Sequence, residues 1–284
     1  MKFFCPATIA LAATASIAQA TSLCGPSNND NALIQIGLFK VLHNNWESPG
    51  TQCSVVDYTA DYSIGFHTRL NIPETTSYET DHYHYPSSHY KTFAATEVQV
   101  EAKVIASISS ISTTLNHIYT SDGLLVSNVA ISLFTGYQSI DAAIMIWTAL
   151  YGNCEPESTT GKPINTQILV IAGVSFDLYE GYLTDHKVYS FVPKSSMNYY
   201  SGDLKLFLNV LVDLKLVSND HILQKVQGEG VSYKHHPIPY PSAREASSCH
   251  GAHKDVQPIK IGLDPAQQTG FSRLQAQITP IFAD

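Results

Sequence analysis

Short apolar runs separated by turn residues dominate the chain. Most alternate with the period of two that sends successive side chains to opposite faces of a strand. Residues 64–70, 98–108, 124–134, 144–150, 168–172, 174–179 and 187–192 all read this way. The stretch "ILVIAGVSFDLYEG" reads as a hairpin turning near Ala172-Gly173. Strands in series without intervening helices predict an all-β sandwich or jelly roll. One segment has the other period. In "SGDLKLFLNVLVDLKL", Leu204, Phe207, Leu208, Leu211 and Leu214 share one helical stripe. Ser201 suits the cap and Asp203 the first turn, so a single helix is expected on the outside of the sandwich. After Tyr233 the pattern gives way to "HHPIPYPSAREASSCHGAHKD", a loop, followed by weak strand-like pieces at 259–263 and 278–282. No repeat or internal domain boundary interrupts the pattern.

One strand carries more information than its period. "DAAIMIW", residues 141–147, sends Ala142, Ile144 and Ile146 to one face and Ala143, Met145 and Trp147 to the other. The isoleucine face is core. The other face offers a thioether and an indole, which suits packing and ligand holding alike.

The N-terminus changes the picture of where this chain works. Lys2, an apolar run over residues 3–17 and Ala18-Gln19-Ala20 read as a signal peptide over residues 1–20. The expected mature chain is secreted and has 284 − 20 = 264 residues. It divides into a β-domain over 21–240 and a poorly defined tail over 241–284. No later stretch reads as a membrane helix. A net charge of −8 and a pI near 5.8 leave no basic stripe for nucleic acid. Charged residues are only 14% against 16 tyrosines, a composition common among extracellular β-proteins with neutral polar ligands. The mature chain is expected to be a monomer. Four of five cysteines remain after the signal is removed, and four allow three pairings. Cys24 with Cys53 would staple the first strands, leaving Cys154 with Cys249 by remainder. No Asn-X-Ser/Thr acceptor is present.

Histidine clusters are the first chemical candidates: His82, His84 and His89 in "DHYHYPSSHY", and Cys249, His250 and His253 in "CHGAH". Neither set is completed by partners at metal-ligand spacing, so both read as loop histidines, with no metal or organic cofactor expected. Nucleophile elbow, phosphate loop and dinucleotide fingerprint are all absent from the sequence.

Several stretches in one order resemble glycoside hydrolase family 12, the secreted endo-β-1,4-glucanases and xyloglucanases. "NALIQIGLFKVLHNNWESPGTQC" is similar to the family's first strands, with Cys24 at its early cysteine. "SIGFHT" resembles Ile-Ala-Trp-His-Thr, "VAISLFT" resembles Val-Ala-Tyr-Asp-Leu-Phe-Thr, and "IMIWTALYG" resembles Ile-Met-Ile-Trp-Leu-Ala-Ala-Leu-Gly. "HKVYSFVP" and "YYSGDLKLFLNVLV" resemble a later strand and the lone helix. The resemblance runs from Cys24 to Gln227. It implies a jelly roll of two antiparallel sheets with a concave cleft, β-1,4-glucan as ligand, and a retaining double displacement. That mechanism needs two carboxylates flanking the scissile bond, one as nucleophile and one as acid/base.

The family's functional positions are altered in this sequence. Its nucleophile, the Glu before Ile-Met-Ile-Trp, falls on Ala143. Its acid/base falls on Val231 without gaps, or on Glu229 with a two-residue deletion. The Asp of Tyr-Asp-Leu-Phe falls on Ser132. The family Trp of Ile-Ala-Trp-His is Phe66, and Trp46 matches the early Trp only if one leucine is deleted; the resemblance implies a substrate-binding role for both. Met145, Trp147 and Asn44 persist as expected cleft residues. The resemblance therefore implies a family-12-like glucan-binding protein with weak or absent hydrolysis. An active endoglucanase is one competing function, and a decoy that engages a proteinaceous inhibitor or receptor is another.

Overall fold

The computed structural model describes residues 22–26, 33–44, 51–60, 62–71, 90–121, 127–152, 154–183, 185–233 and 270–278. Residues 1–20, read from sequence as a signal peptide, both histidine clusters, Trp46, Cys249 and the piece at 259–263 lie outside these residues.

The chain forms two stacked sheets, as the alternating pattern requires. The six-stranded sheet runs in the order β1 (Ser22–Pro26), β4 (Thr51–Ala60), β5 (Ser63–Asn71), β16 (Gly270–Ile278), β8 (Ser112–Ser121) and β14 (Tyr199–Asp203). The ten-stranded sheet begins with β11 (Leu169–Ile171), β12 (Val174–Leu183), β13 (His186–Pro193) and β10 (Ala142–Tyr151). It continues through β9 (Ser127–Gly136), β15 (Ile222–Tyr233), β6 (Tyr90–Val98), β3 (Phe39–Leu42) and β2 (Leu33–Ile36). A short β7 (Lys103–Val104) pairs with the start of β15.

The inter-sheet core is one continuous apolar cluster. Val56, Ile64, Phe66 and Leu115 from the smaller sheet meet Val129, Ile131, Leu133, Ile144, Ile146 and Val226 from the larger. The isoleucine face of β10 is thus core, as its alternation predicts. Cys24 stands opposite Cys53 in the β1–β4 ladder and is disulfide-bonded to it. The β11–β12 turn places Ala172 and Gly173 at φ 50° and 81°, the left-handed pair that a two-residue hairpin demands.

Three local expectations are corrected. Residues 98–108 do not form one strand: β6 stops at Val98, and a 3-10 turn over Ile105–Ser107 follows β7. The helix α1 covers Lys205–Asp213, while Ser201 belongs to β14 and caps nothing. Asp203 takes over, its Oδ1 accepting the backbone N–H groups of Lys205 at 2.9 Å and Ile111 at 2.7 Å. Leu214 ends the helix and is exposed. Phe207 packs edge-on against Phe176 and Phe191, at centroid distances of 5.3 and 5.0 Å, on the core side of β12 and β13. Finally, residues 270–278, read from sequence as tail, insert between β5 and β8 as β16.

Candidate functional site

The outer face of the ten-stranded sheet is assembled by register. Ala143 stands opposite Phe134, Met145 opposite Ser132, and Trp147 opposite Ala130 across the β10–β9 ladder. On the other side of β9, Lys225 faces Phe134, Gln227 faces Ser132 and Glu229 faces Ala130. The ladder continues from Gln227 to Glu97 on β6 and from Glu97 to Lys40 on β3. One row therefore crosses the sheet as Ser190, Met145, Ser132, Gln227, Glu97 and Lys40.

Ser132 is the hub of this face. It is flanked diagonally by Ala143 on one neighbouring strand and by Glu229 on the other. Its hydroxyl donates to Glu229 Oε1 at 2.7 Å. Glu229 is 1% exposed, and burial pushes its carboxyl up to about 8. The Ser132 hydrogen bond and the Lys225 charge oppose that rise without cancelling it. At neutral pH the carboxyl is protonated, a donor rather than a base. Among the described residues its Oε2 has no hydrogen-bond partner, and neither do Trp147 Nε1 and Ser190 Oγ on the same face.

Trp147 is buried against Ala130, Cys154, Met145, Leu150 and Val192, a cluster separate from the inter-sheet core. Met145 is half-buried and Ala143 is covered. The face of "DAAIMIW" that alternation sets opposite the isoleucines is thus the outer face of the sheet. Charge is concentrated beside it. Glu97 accepts from Lys40 Nζ at 2.9 Å and Gln227 Nε2 at 3.3 Å, with Lys225 Nζ 3.8 Å away. Lys225 also lies over the Phe134 ring at 4.1 Å.

The remaining predicted positions divide. Phe66 is 1% exposed in the inter-sheet core, so its expected role on the ligand face is corrected. A Phe in place of Trp on β5 completes packing and offers no ring to a sugar. Asn44 ends β3 at φ 40°, just beyond Leu42, whose ladder partner Ala95 faces Glu229. Val231 occupies the same ladder two residues beyond Glu229, opposite Asn128 and farther along from Ala143. Cys154 is buried against Trp147. Sequence reasoning missed Lys40, Glu97, Ser190, Lys225 and Gln227, because only the cross-strand register brings them to one face. The odd-numbered alternation Lys225, Gln227, Glu229 was the available signal.

Comparison with known proteins bears on the same residues. The model of Glycosyl hydrolase family 12 matches residues 37–229. The chain is 33% identical over 234 residues to the xyloglucan-specific endo-beta-1,4-glucanase A of Emericella nidulans, covering 80% of this chain and 90% of that protein. It is 30% identical over 202 residues to the inactive glycoside hydrolase XLP1 of Phytophthora nicotianae, covering 69% and 79%. The fold matches endoglucanase 3 of Trichoderma harzianum with a TM-score of 0.65 at 21% identity, over 92% of this chain and 99% of that one. It also matches the xyloglucanase domain of NopAA from Sinorhizobium fredii, solved with cellobiose, with a TM-score of 0.62 at 17% identity over 92% and 98%.

Proposed function

Because the chain belongs to glycosyl hydrolase family 12, we propose that it is a secreted protein that binds β-1,4-glucan of the xyloglucan class and hydrolyses it weakly or not at all. The observation that carries this reading is the methyl group of Ala143 at the family's nucleophile position. A retaining glycosidase forms a covalent bond between a carboxylate and the anomeric carbon. Alanine has no lone pair to give, and no environment can supply one.

The surroundings of that methyl support loss of the reaction and retention of the face. The Lys225 ammonium over Phe134, which faces Ala143, opposes the positive charge that builds on the sugar in the transition state. Glu229 keeps the raised pKa of a general acid, and its diagonal placement across Ser132 favours it over Val231 for that position. An acid without a nucleophile polarises a glycosidic oxygen and goes no further. Met145 is the half-buried member of this face and supplies apolar surface for a neutral polar chain, while Trp147, Ser190 and Glu229 are buried around it.

The test joins binding to turnover. Purified protein is expected to be retarded in a native gel containing xyloglucan, while release of reducing ends stays at the assay floor. Turnover that survives Glu229→Gln would place the catalytic pair elsewhere. Absence of retardation would favour a protein inhibitor or receptor as the ligand of this face.

A further inference from the structure

The six-stranded sheet has an outer face too, and it carries a row of its own. Tyr58 on β4 stands opposite Gly65 on β5, Gly65 opposite Gln275 on β16, Gln275 opposite Asn116 on β8, and Asn116 opposite Tyr199 on β14. The neighbours Ile64, Phe66, Leu115 and Tyr200 all point into the core, so the row lies on the side away from it. Tyr58 is 37% exposed and Tyr199 is 60% exposed.

Tyr58 has a specific posture. A Cβ added to Gly65 would come within 2.2 Å of Tyr58 Cε1, so the ring lies directly on the glycine backbone. Glycine here removes the one atom that would displace the ring, which covers Gly65 while the residue stays 37% exposed. Scattered surface tyrosines are ordinary. Two in one ladder row, one of them laid over a glycine, with an exposed Asn116 between them, form a patterned surface.

We propose that this row is a second carbohydrate-binding surface, separate from the ten-stranded sheet, that holds one neutral β-1,4-linked glucan chain running across the strands. Four strand spacings separate the two tyrosines, about 19 Å at about 4.8 Å each. A β-1,4-linked sugar advances by close to one strand spacing, so the row carries several consecutive units. Ring faces at the ends stack on the C–H surfaces of sugars. The Asn116 amide, and the Thr114 and Ser201 hydroxyls in the adjacent row, match sugar hydroxyls. No position in the Tyr58–Tyr199 row is charged; in the adjacent row Arg273 stands opposite His67, which bonds Asp57 at 2.8 Å. An uncharged row fits a neutral polysaccharide.

The experiment is retention of the full chain on insoluble xyloglucan–cellulose composite, read as a partition constant. Tyr58→Ala with Tyr199→Ala is expected to weaken retention by at least about five-fold, the equivalent of two aromatic contacts. Tyr58→Phe with Tyr199→Phe is expected to retain wild-type binding, because stacking uses the ring and not the hydroxyl. Should the alanine pair lower the melting temperature, Tyr199→Ala and Asn116→Asp, both at exposed positions, take its place, each with a loss of about two-fold or more. Unchanged retention in the alanine pair, or in both single variants, overturns the proposal. So does a loss of equal size in the phenylalanine pair.

Discussion

Ser132 Oγ and Glu229 Oε1 lie 2.7 Å apart on adjacent strands, joined by one hydrogen bond across the β9–β15 ladder. Among the described residues that hydroxyl is the one hydrogen-bond partner of the Glu229 carboxyl, which burial has pushed up to about 8. Serine at 132 donates and carries no charge, so it opposes that rise without cancelling it, and it leaves the second oxygen without a partner among the described residues.

A pH dependence of stability follows. Glu229 binds its proton more tightly folded than unfolded, so its contribution is fully present below the ordinary value of 4.5 and is lost as pH rises toward about 8. Glu229→Gln cannot titrate. Relative to wild type, the variant is expected to gain melting temperature at pH 8 compared with pH 5. Each kcal/mol moves the midpoint by roughly 2–4 °C in a chain of this size. Parallel melting curves for the two proteins across pH 5 to 8 would show that the carboxyl is not held protonated.

The register explains what was and was not legible in the sequence. Alternation placed Ile144 and Ile146 in the core and Met145 and Trp147 on the opposite face, because a period of two is a local property. It also marked the hairpin at Ala172-Gly173, where turn chemistry is local. The row from Ser190 to Lys40 was not legible, since ladder partners up to 130 residues apart in sequence meet only through strand order. The Phe66 error has the same origin. The matched stretch gave its strand, and only the face it occupies decides between core and ligand. Ser201 was a better N-cap by type than Leu204, but pairing with Thr114 in β14 held it in a strand.

The Cys24–Cys53 bridge closes a separation of 29 residues and ties the edge strand β1 to β4. A closed loop of that size removes on the order of 3–4 kcal/mol of unfolded-chain entropy. Cys24→Ser with Cys53→Ser is expected to lower the denaturant midpoint accordingly, with β1 amides losing hydrogen-exchange protection before those of β9. Equal protection in both strands would mean β1 is held by its ladder alone.

Gly136 closes β9 just before the turn into β10, and a Cβ there would lie 1.9 Å from Ser139 O and 2.8 Å from Asp141 N. Both are backbone atoms, so the turn itself must move. Gly136→Ala is expected to cost about 1–3 kcal/mol. It should also disturb the register that sets Ser132 opposite Met145. A melting temperature within error of wild type would show that the turn yields freely.

Restoring the missing carboxylate is the most direct test of the site. Ala143 and Glu229 are diagonal neighbours of Ser132 on opposite sides, and diagonal cross-strand positions are about 7–8 Å apart. A glutamate at 143 would reach toward Ser132 from one side while Glu229 already bonds it from the other, which brings the new carboxylate toward its partner across Ser132. Their environments already differ in the needed sense. Lys225, level with position 143 across Phe134, favours an ionised carboxylate there, while burial keeps Glu229 protonated. Ala143→Glu is therefore expected to release reducing ends from xyloglucan above the wild-type floor. Adding Ser132→Asp is expected to raise the rate further by restoring the neighbour that adjusts the pair's protonation. Ala143→Gln, with the same size and no nucleophile, should stay at the floor. Val231→Glu should add little, since that position lies two residues farther from Ala143 along β15. A folded Ala143→Glu, Ser132→Asp protein that binds glucan and never cleaves it would mean that the outer face no longer holds a sugar over position 143.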